Sequence, residues 1–152
     1  MDGVGAVPAV TAWERSHAVE IQAKQPTVKG PAEQFTGNAW FDPIAQGAEA
    51  SRLRVSIVRF APGARTAWHS HPVGQTLYVT EGRGRVQSRG GEIVEVRPGE
   101  VISTPPSEWH WHGATPTDFM THLSMLEVDD HGNSATWGAH VTDAEYGAVP
   151  RT

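Results

Sequence analysis

The chain has 152 residues, 12 Lys and Arg against 17 Asp and Glu, a formal net charge of −5 and no cysteine. That length suits one domain with a real core, and the scattered basic residues give no nucleic-acid footprint and no cationic membrane-binding face. Disulfides, thiolate catalysis and Cys-based metal sites are excluded, and no apolar stretch is long enough for a membrane span. Met1-Asp2-Gly3-Val4 lacks the charged start and long apolar core of a secretion signal, so a cytoplasmic protein acting on a small molecule is expected.

Residues 1–30 mix Ala, Gly, Pro and charge without a sustained period. They are expected to form an arm, with room for one short strand that packs on a neighbour; a helical reading of residues 13–22 is patchy. From Gln34 the character changes to short β-rich segments between turn residues. Residues 53–60 alternate, with Leu53, Val55 and Ile57 on one face, and Pro62-Gly63 ends the run. Residues 75–80 form a second strand closed by Glu81-Gly82, and residues 84–87 and 93–96 flank a hairpin turn at Arg89-Gly90-Gly91. After the Pro98-Gly99 turn come strands at 101–103, 109–112 and 120–128. Beyond Asp129 the chain is polar and irregular, although Thr142 is placed to cap a short terminal helix. Strands at this spacing predict an all-β sandwich or barrel, here one domain over residues 31–147 with a tail at 148–152.

The chemistry concentrates in Trp68-His69-Ser70-His71-Pro72-Val73-Gly74-Gln75 and in His110-Trp111-His112. Histidines at i and i+2 share a strand face, and Gln75, four residues on and past a Pro-x-Gly turn, can swing back to it. His69, His71, Gln75 and His110 are therefore the candidate metal ligands. Imidazole suits Mn, Fe, Ni and Zn alike, so ligand type does not choose the ion. Three imidazoles and one neutral amide leave a dication's charge unneutralised by protein. Such a centre should be a stronger Lewis acid than one with a glutamate, and should hold its metal less tightly.

Both motifs resemble those of the cupin family. The first reads Gly, five residues, His-x-His, three or four residues, Glu, six residues, Gly; Gly63, His69, His71 and Gly82 match, with Gln75 in place of the glutamate. The second reads Gly, five residues, Pro-x-Gly, two residues, His, three residues, Asn; Gly99, Pro105 and His110 match, with Ser107 for the glycine and Ala114 for the asparagine. The resemblance implies a double-stranded β-helix, or jelly-roll barrel, with a metal inside its mouth. A narrower resemblance, carried by Phe60-Ala61-Pro62-Gly63-Ala64-Arg65-Thr66-Ala67-Trp68-His69, Gly74-Gln75-Thr76-Leu77, His110-Trp111-His112-Gly113-Ala114 and Met120-Thr121-His122-Leu123, is to the bacterial manganese-dependent cupin hydroxynitrile lyases. It implies Gln75 as a true ligand beside His69, His71 and His110, His122 as a catalytic histidine, and manganese as the metal.

His112 follows His110 by two residues and should face the barrel interior, as an acid/base group, as a donor to a ligand, or packed against Trp109 or Trp111. Val58, Phe60, Thr66 and Trp68 are candidate pocket wall; Arg65 is expected exposed, and His17, His131 and His140 solvated. The leading expectation is a metal-dependent lyase that cleaves or forms cyanohydrins. The alternatives are a non-haem iron dioxygenase and a non-enzymatic small-ligand-binding module. A homodimer or higher homo-oligomer is expected, because small jelly rolls hide edge strands by pairing.

Overall fold

A computed structural model describes residues 19–48 and 50–151. Residues 13–18 of the patchy helical segment, with His17, lie outside the described residues; residues 19–22 are not helical. One sheet contains β1 (Val28–Lys29), β3 (Ala39–Ala45), β4 (Leu53–Phe60), β7 (Gln75–Gly82), β10 (Val101–Thr104) and β12 (Met120–Glu127), in the order β1-β3-β4-β12-β7-β10. The other contains β2 (Phe35–Thr36), β5 (Arg65–Thr66), β6 (His69–Ser70), β8 (Gly84–Ser88), β9 (Val94–Val96), β11 (His110–Ala114) and β13 (Thr136–Trp137). Its order is β13-β6-β11-β5-β2, with β8 on β11 and β9 on β8. Every pairing is antiparallel, and neighbours remote in sequence alternate across the two sheets, as a jelly-roll barrel requires. None of the described helices is long and apolar enough to cross a membrane.

The barrel is closed at one end by Ala39, Val58, Phe60, Ala64, Val79, Val96, Ala114 and Met120, with Phe35 and Phe41 packed against them. Toward the other end the inner face of the six-stranded sheet turns polar. Register puts Val58 beside His122 and His122 beside Val79, then Ser56 beside Ser124 and Ser124 beside Leu77, then Arg54 beside Leu126 and Leu126 beside Gln75. The alternation read in residues 53–60 is present, but Leu53, Val55 and Ile57 are the outward face; Leu53 is exposed, while Val58 and Phe60 are buried. A strand lining a polar cavity can carry its more apolar row outside.

A second cluster, Trp68, Ile93, Trp111, Val141 and Tyr146 with Trp109, packs behind the second sheet. Trp111 alternates with His110 and His112, so strand geometry sends the indole outward as the imidazoles turn in. The segment after Asp129 covers those aromatic rings and is far from irregular. It contributes β13, buried Val141, and a short helix, α1 (Asp143–Tyr146), whose Thr142 and Glu145 form the expected reciprocal cap. Tyr146 donates its hydroxyl hydrogen to the Ala114 carbonyl at 2.7 Å. Arg65, expected exposed, is buried in this seam: it donates to the Val141 carbonyl and to Asp143, both at 2.8 Å, and lies 4.5 Å above the Tyr146 ring. Trp68 belongs to this cluster and not to the pocket wall.

Candidate metal centre

His69 sits on β6 directly across from His110 on β11, and Trp137 of β13 flanks His69 on its other side. His71 lies just past β6. Gly74, at φ +84°, reverses the chain there; a Cβ would stand 2.7 Å from the Thr104 carbonyl oxygen, so only glycine fits. The reversal brings Gln75, first residue of β7, back to the histidines. Opposite it, Ser107 holds φ +65° where the family motif has glycine, and its N–H donates to the His71 carbonyl at 2.8 Å. The serine keeps the turn the glycine would make, at a backbone strain of roughly 1–2 kcal/mol.

The donor atoms of His69, His71 and His110 all lie within 4.8 Å of one another, and all three residues are buried. Each ring is held from behind by a carbonyl: Nδ1 of His69 donates to Ala67 at 2.9 Å, of His71 to Ser134 at 2.7 Å, and of His110 to Glu108 at 2.9 Å. A carbonyl can only accept, so the proton resides on Nδ1 and each Nε2 presents a lone pair. Burial, with the neighbouring His110 and His71 rings, pushes His69 well below the ordinary histidine pKa, and burial pushes His110 down to about 4. Neither ring is an imidazolium at neutral pH.

Gln75 is oriented by the same logic. Its Nε2 donates to the Ser124 hydroxyl at 2.9 Å, which turns Oε1 toward His110 Nε2 at 3.2 Å. Both of those atoms are acceptors. Two facing lone pairs repel, and the His71 Nε2 nearby is buried without a partner. A cation resolves all of these at once, so the donor set fits a divalent metal. Three histidines and an amide suit several such ions.

His112 and His122 face this centre from β11 and β12. His122 Nε2 and His112 Nδ1 are 3.0 Å apart, while the outer nitrogens, His112 Nε2 and His122 Nδ1, are buried without partners. Burial pushes His122 down to about 4, and burial plus the adjacent His122 pushes His112 well below the ordinary range. Phe60 packs its ring against both. His112 therefore does not pack on Trp109 or Trp111; it is part of a neutral histidine pair. His69, His71, His112 and His122 line a cavity of about 380 Å³, with the His110 donor atom within 4.8 Å of those of His69 and His71, and the wall includes Phe35, Phe41, Val58, Thr66 and Trp137. His131 and His140 are exposed, as expected.

Four contributors were not read from the sequence. Ser124 and Arg54 carried a usable signal, since each shares strand parity with a residue already singled out, His122 and Val58. Ser134 and Trp137 carried none. The first fixes His71, and the second stacks on His69 with centroids 4.5 Å apart, yet both come from the segment read as an irregular tail.

The geometry defines a β-barrel whose mouth holds a histidine cluster able to take a metal ion. Comparison with known proteins agrees. The Cupin domain family model matches residues 56–128. A protein of Granulicella tundricola named (R)-mandelonitrile lyase is 49% identical over 122 residues, covering 80% of this chain and 92% of its own. A crystal structure of a cupin-like protein from Thermotoga maritima superposes with a TM-score of 0.74 at 38% identity, over 84% of this chain and 95% of that one. A cupin-2 domain from Rhodospirillum rubrum, 17% identical, shares the fold with a TM-score of 0.63 over 84% of each chain. The chain belongs to the cupin family.

Proposed function

We propose that the protein is a metal-dependent hydroxynitrile lyase, interconverting a cyanohydrin with its aldehyde and cyanide. The observation that carries the reading is the juxtaposition of four converging acceptor atoms with a buried, neutral histidine pair across one small cavity. The relative named (R)-mandelonitrile lyase supports it.

His69, His71, His110 and Gln75 would hold the metal, manganese by resemblance with iron, nickel or zinc as alternatives. A bound dication supplies Lewis acidity toward the substrate oxygen. The chain's own residues do the rest. Phe35, Phe41 and Val58 offer an apolar wall for the group attached to the reacting carbon. The histidine pair shares one internal N–H, so it always presents one free lone pair and one N–H at its outer nitrogens. In one tautomer the lone pair is on His122 Nδ1; in the other it is on His112 Nε2. That lone pair takes the hydroxyl proton. The carbon–carbon bond then breaks, its electron pair leaves on cyanide, and the proton returns from the imidazolium to give hydrogen cyanide and aldehyde. Because burial disfavours imidazolium, the pair gives the proton back readily.

The test is cyanide release from mandelonitrile by metal-loaded protein. His122→Ala should lower kcat by roughly 10²–10⁴-fold while metal content is unchanged. Equal rates in the two proteins would end this assignment, and substrate-dependent oxygen uptake by iron-loaded protein would favour the dioxygenase alternative. The reading extends to a cytoplasmic homo-oligomer; the short strand expected in the arm of residues 1–30 is β1, which pairs with β3 of its own chain, so the part of the arm before it would reach a neighbour. Support for association is the exposure of Trp40 and of the adjacent Tyr78 and Val101 on the outer face of the six-stranded sheet. Sedimentation as a monomer at micromolar concentration would remove it.

A further inference from the structure

The cavity wall contains one side chain with a permanent charge. Arg54 lines it, and among the described residues no Asp or Glu does. Several other arginines have carboxylate partners, Arg52 with Asp130, Arg59 with Asp42, Arg65 with Asp143, Arg83 and Arg85 with Glu95, and Arg151 with Glu92, while Arg89 lies over the Trp68 and Trp109 rings. Arg59 is on the same strand as Arg54 but on its outer face. Arg54 has no such partner among the described residues. At the half-buried rim, against the turn at Gly47, its guanidinium donates one hydrogen bond among the described residues, from Nη1 to the Leu53 carbonyl at 3.0 Å.

Register places that fork relative to the metal centre. Arg54, Leu126 and Gln75 occupy one level across three adjacent strands. With strands about 4.8 Å apart, the Arg54 and Gln75 backbones stand about 10 Å from each other, and both side chains enter the same cavity. Leu126 stands between them, and the wall deeper in the cavity carries no fixed charge, with Ser56 and Ser124 on the next level and Val58 and Phe41 on the one after. A ligand with its reacting oxygen at the three-histidine end would therefore extend a flat or short apolar body toward Arg54.

We propose that Arg54 anchors a carboxylate, so that the preferred substrate is an anionic carbonyl compound or its cyanohydrin. Guanidinium and carboxylate match as planar forks with two parallel hydrogen bonds, a geometry that a lysine does not reproduce. The substrate class rests on the lyase reading for its reacting group; the anion anchor rests only on the placement of Arg54.

Isothermal titration with 4-(hydroxymethyl)benzoate and with its neutral methyl ester separates the two claims. Wild-type protein, metal-loaded or not, should bind the acid roughly tenfold more tightly than the ester. Arg54→Gln should abolish that preference, and Arg54→Lys should keep part of it, with thermal unfolding confirming that both variants fold. Equal binding of acid and ester by wild type, or an undiminished preference in Arg54→Gln, would overturn the proposal. Mandelonitrile cleavage is scored apart from this. An Arg54-dependent acid preference without cleavage removes the lyase reading and keeps the anchor, whereas cleavage without the preference removes the anchor and keeps the lyase.

Discussion

Replacing Gln75 by Glu tests the charge balance of the centre with almost no change of shape. The side chains are isosteric, and the Ser124 hydroxyl, which now accepts from Gln75 Nε2 at 2.9 Å, can rotate to donate to a carboxylate. Only the formal charge of the ligand set changes. Two unit charges about 4 Å apart interact by roughly 4 kcal/mol at an effective dielectric of 20, which bounds the effect on negative charge developing at the substrate oxygen. At 1.36 kcal/mol per tenfold, the ceiling is a rate loss of about 10³-fold; partial neutralisation of the carboxylate by the metal brings the expected fall in kcat to between ten- and a hundredfold. Metal retention should change in the opposite direction. Chelator competition should show Gln75→Glu holding manganese at least tenfold more tightly than wild type, because the dication gains a full countercharge. Cyanide release at saturating metal and mandelonitrile, read beside the chelator titration, gives both numbers from one preparation. A Gln75→Glu protein that retains metal and turns over as fast as wild type would refute the reasoning that the neutral amide sets the electrophilicity of the site.

Two further outcomes follow from the buried groups. In metal-free protein, His110 and His122 are held near 4 while unfolded histidines titrate near 6.5, so below about 6.5 the unfolded chain binds protons that the folded chain refuses. Stability should therefore fall as pH is lowered from 7 to 5, by about 1.4 kcal/mol per pH unit for each histidine kept neutral; urea melts with a flat midpoint across that range would contradict this. Arg65→Met should cost about 2 kcal/mol, mostly from the lost charged hydrogen bond to the Val141 carbonyl, since Asp143 is almost fully exposed and its ion pair counts for little. Urea unfolding within 0.5 kcal/mol of wild type would show that the C-terminal segment is not pinned there.

Much of the site is local in the chain. His69 and His71 share a face because strand side chains alternate; Gln75 returns to them because Gly74 alone can take the positive φ of the intervening turn; and His112 must face inward if His110 does. The barrel itself is legible from the spacing of short strands between Pro and Gly turns, and the two motifs bring the family resemblance. These are features of period two and tight reversal, settled within a dozen residues of sequence.

What the chain does not state locally is which distant groups complete those pieces. The carbonyl of Ser134 fixes the His71 tautomer, and Trp137 covers His69, only because the segment after Asp129 folds over the aromatic back of β11 and β6. Arg65, charged and next to a turn, looks like a surface residue until that same segment buries it against Tyr146. The meeting of His112 with His122 depends on how the two sheets face each other across the barrel, and the levelling of Arg54 with Gln75 depends on strand register through Leu126. Strand alternation tells each residue which of two faces it occupies, but the identity of the inner face, and of the neighbour across it, is set by how the sheets close.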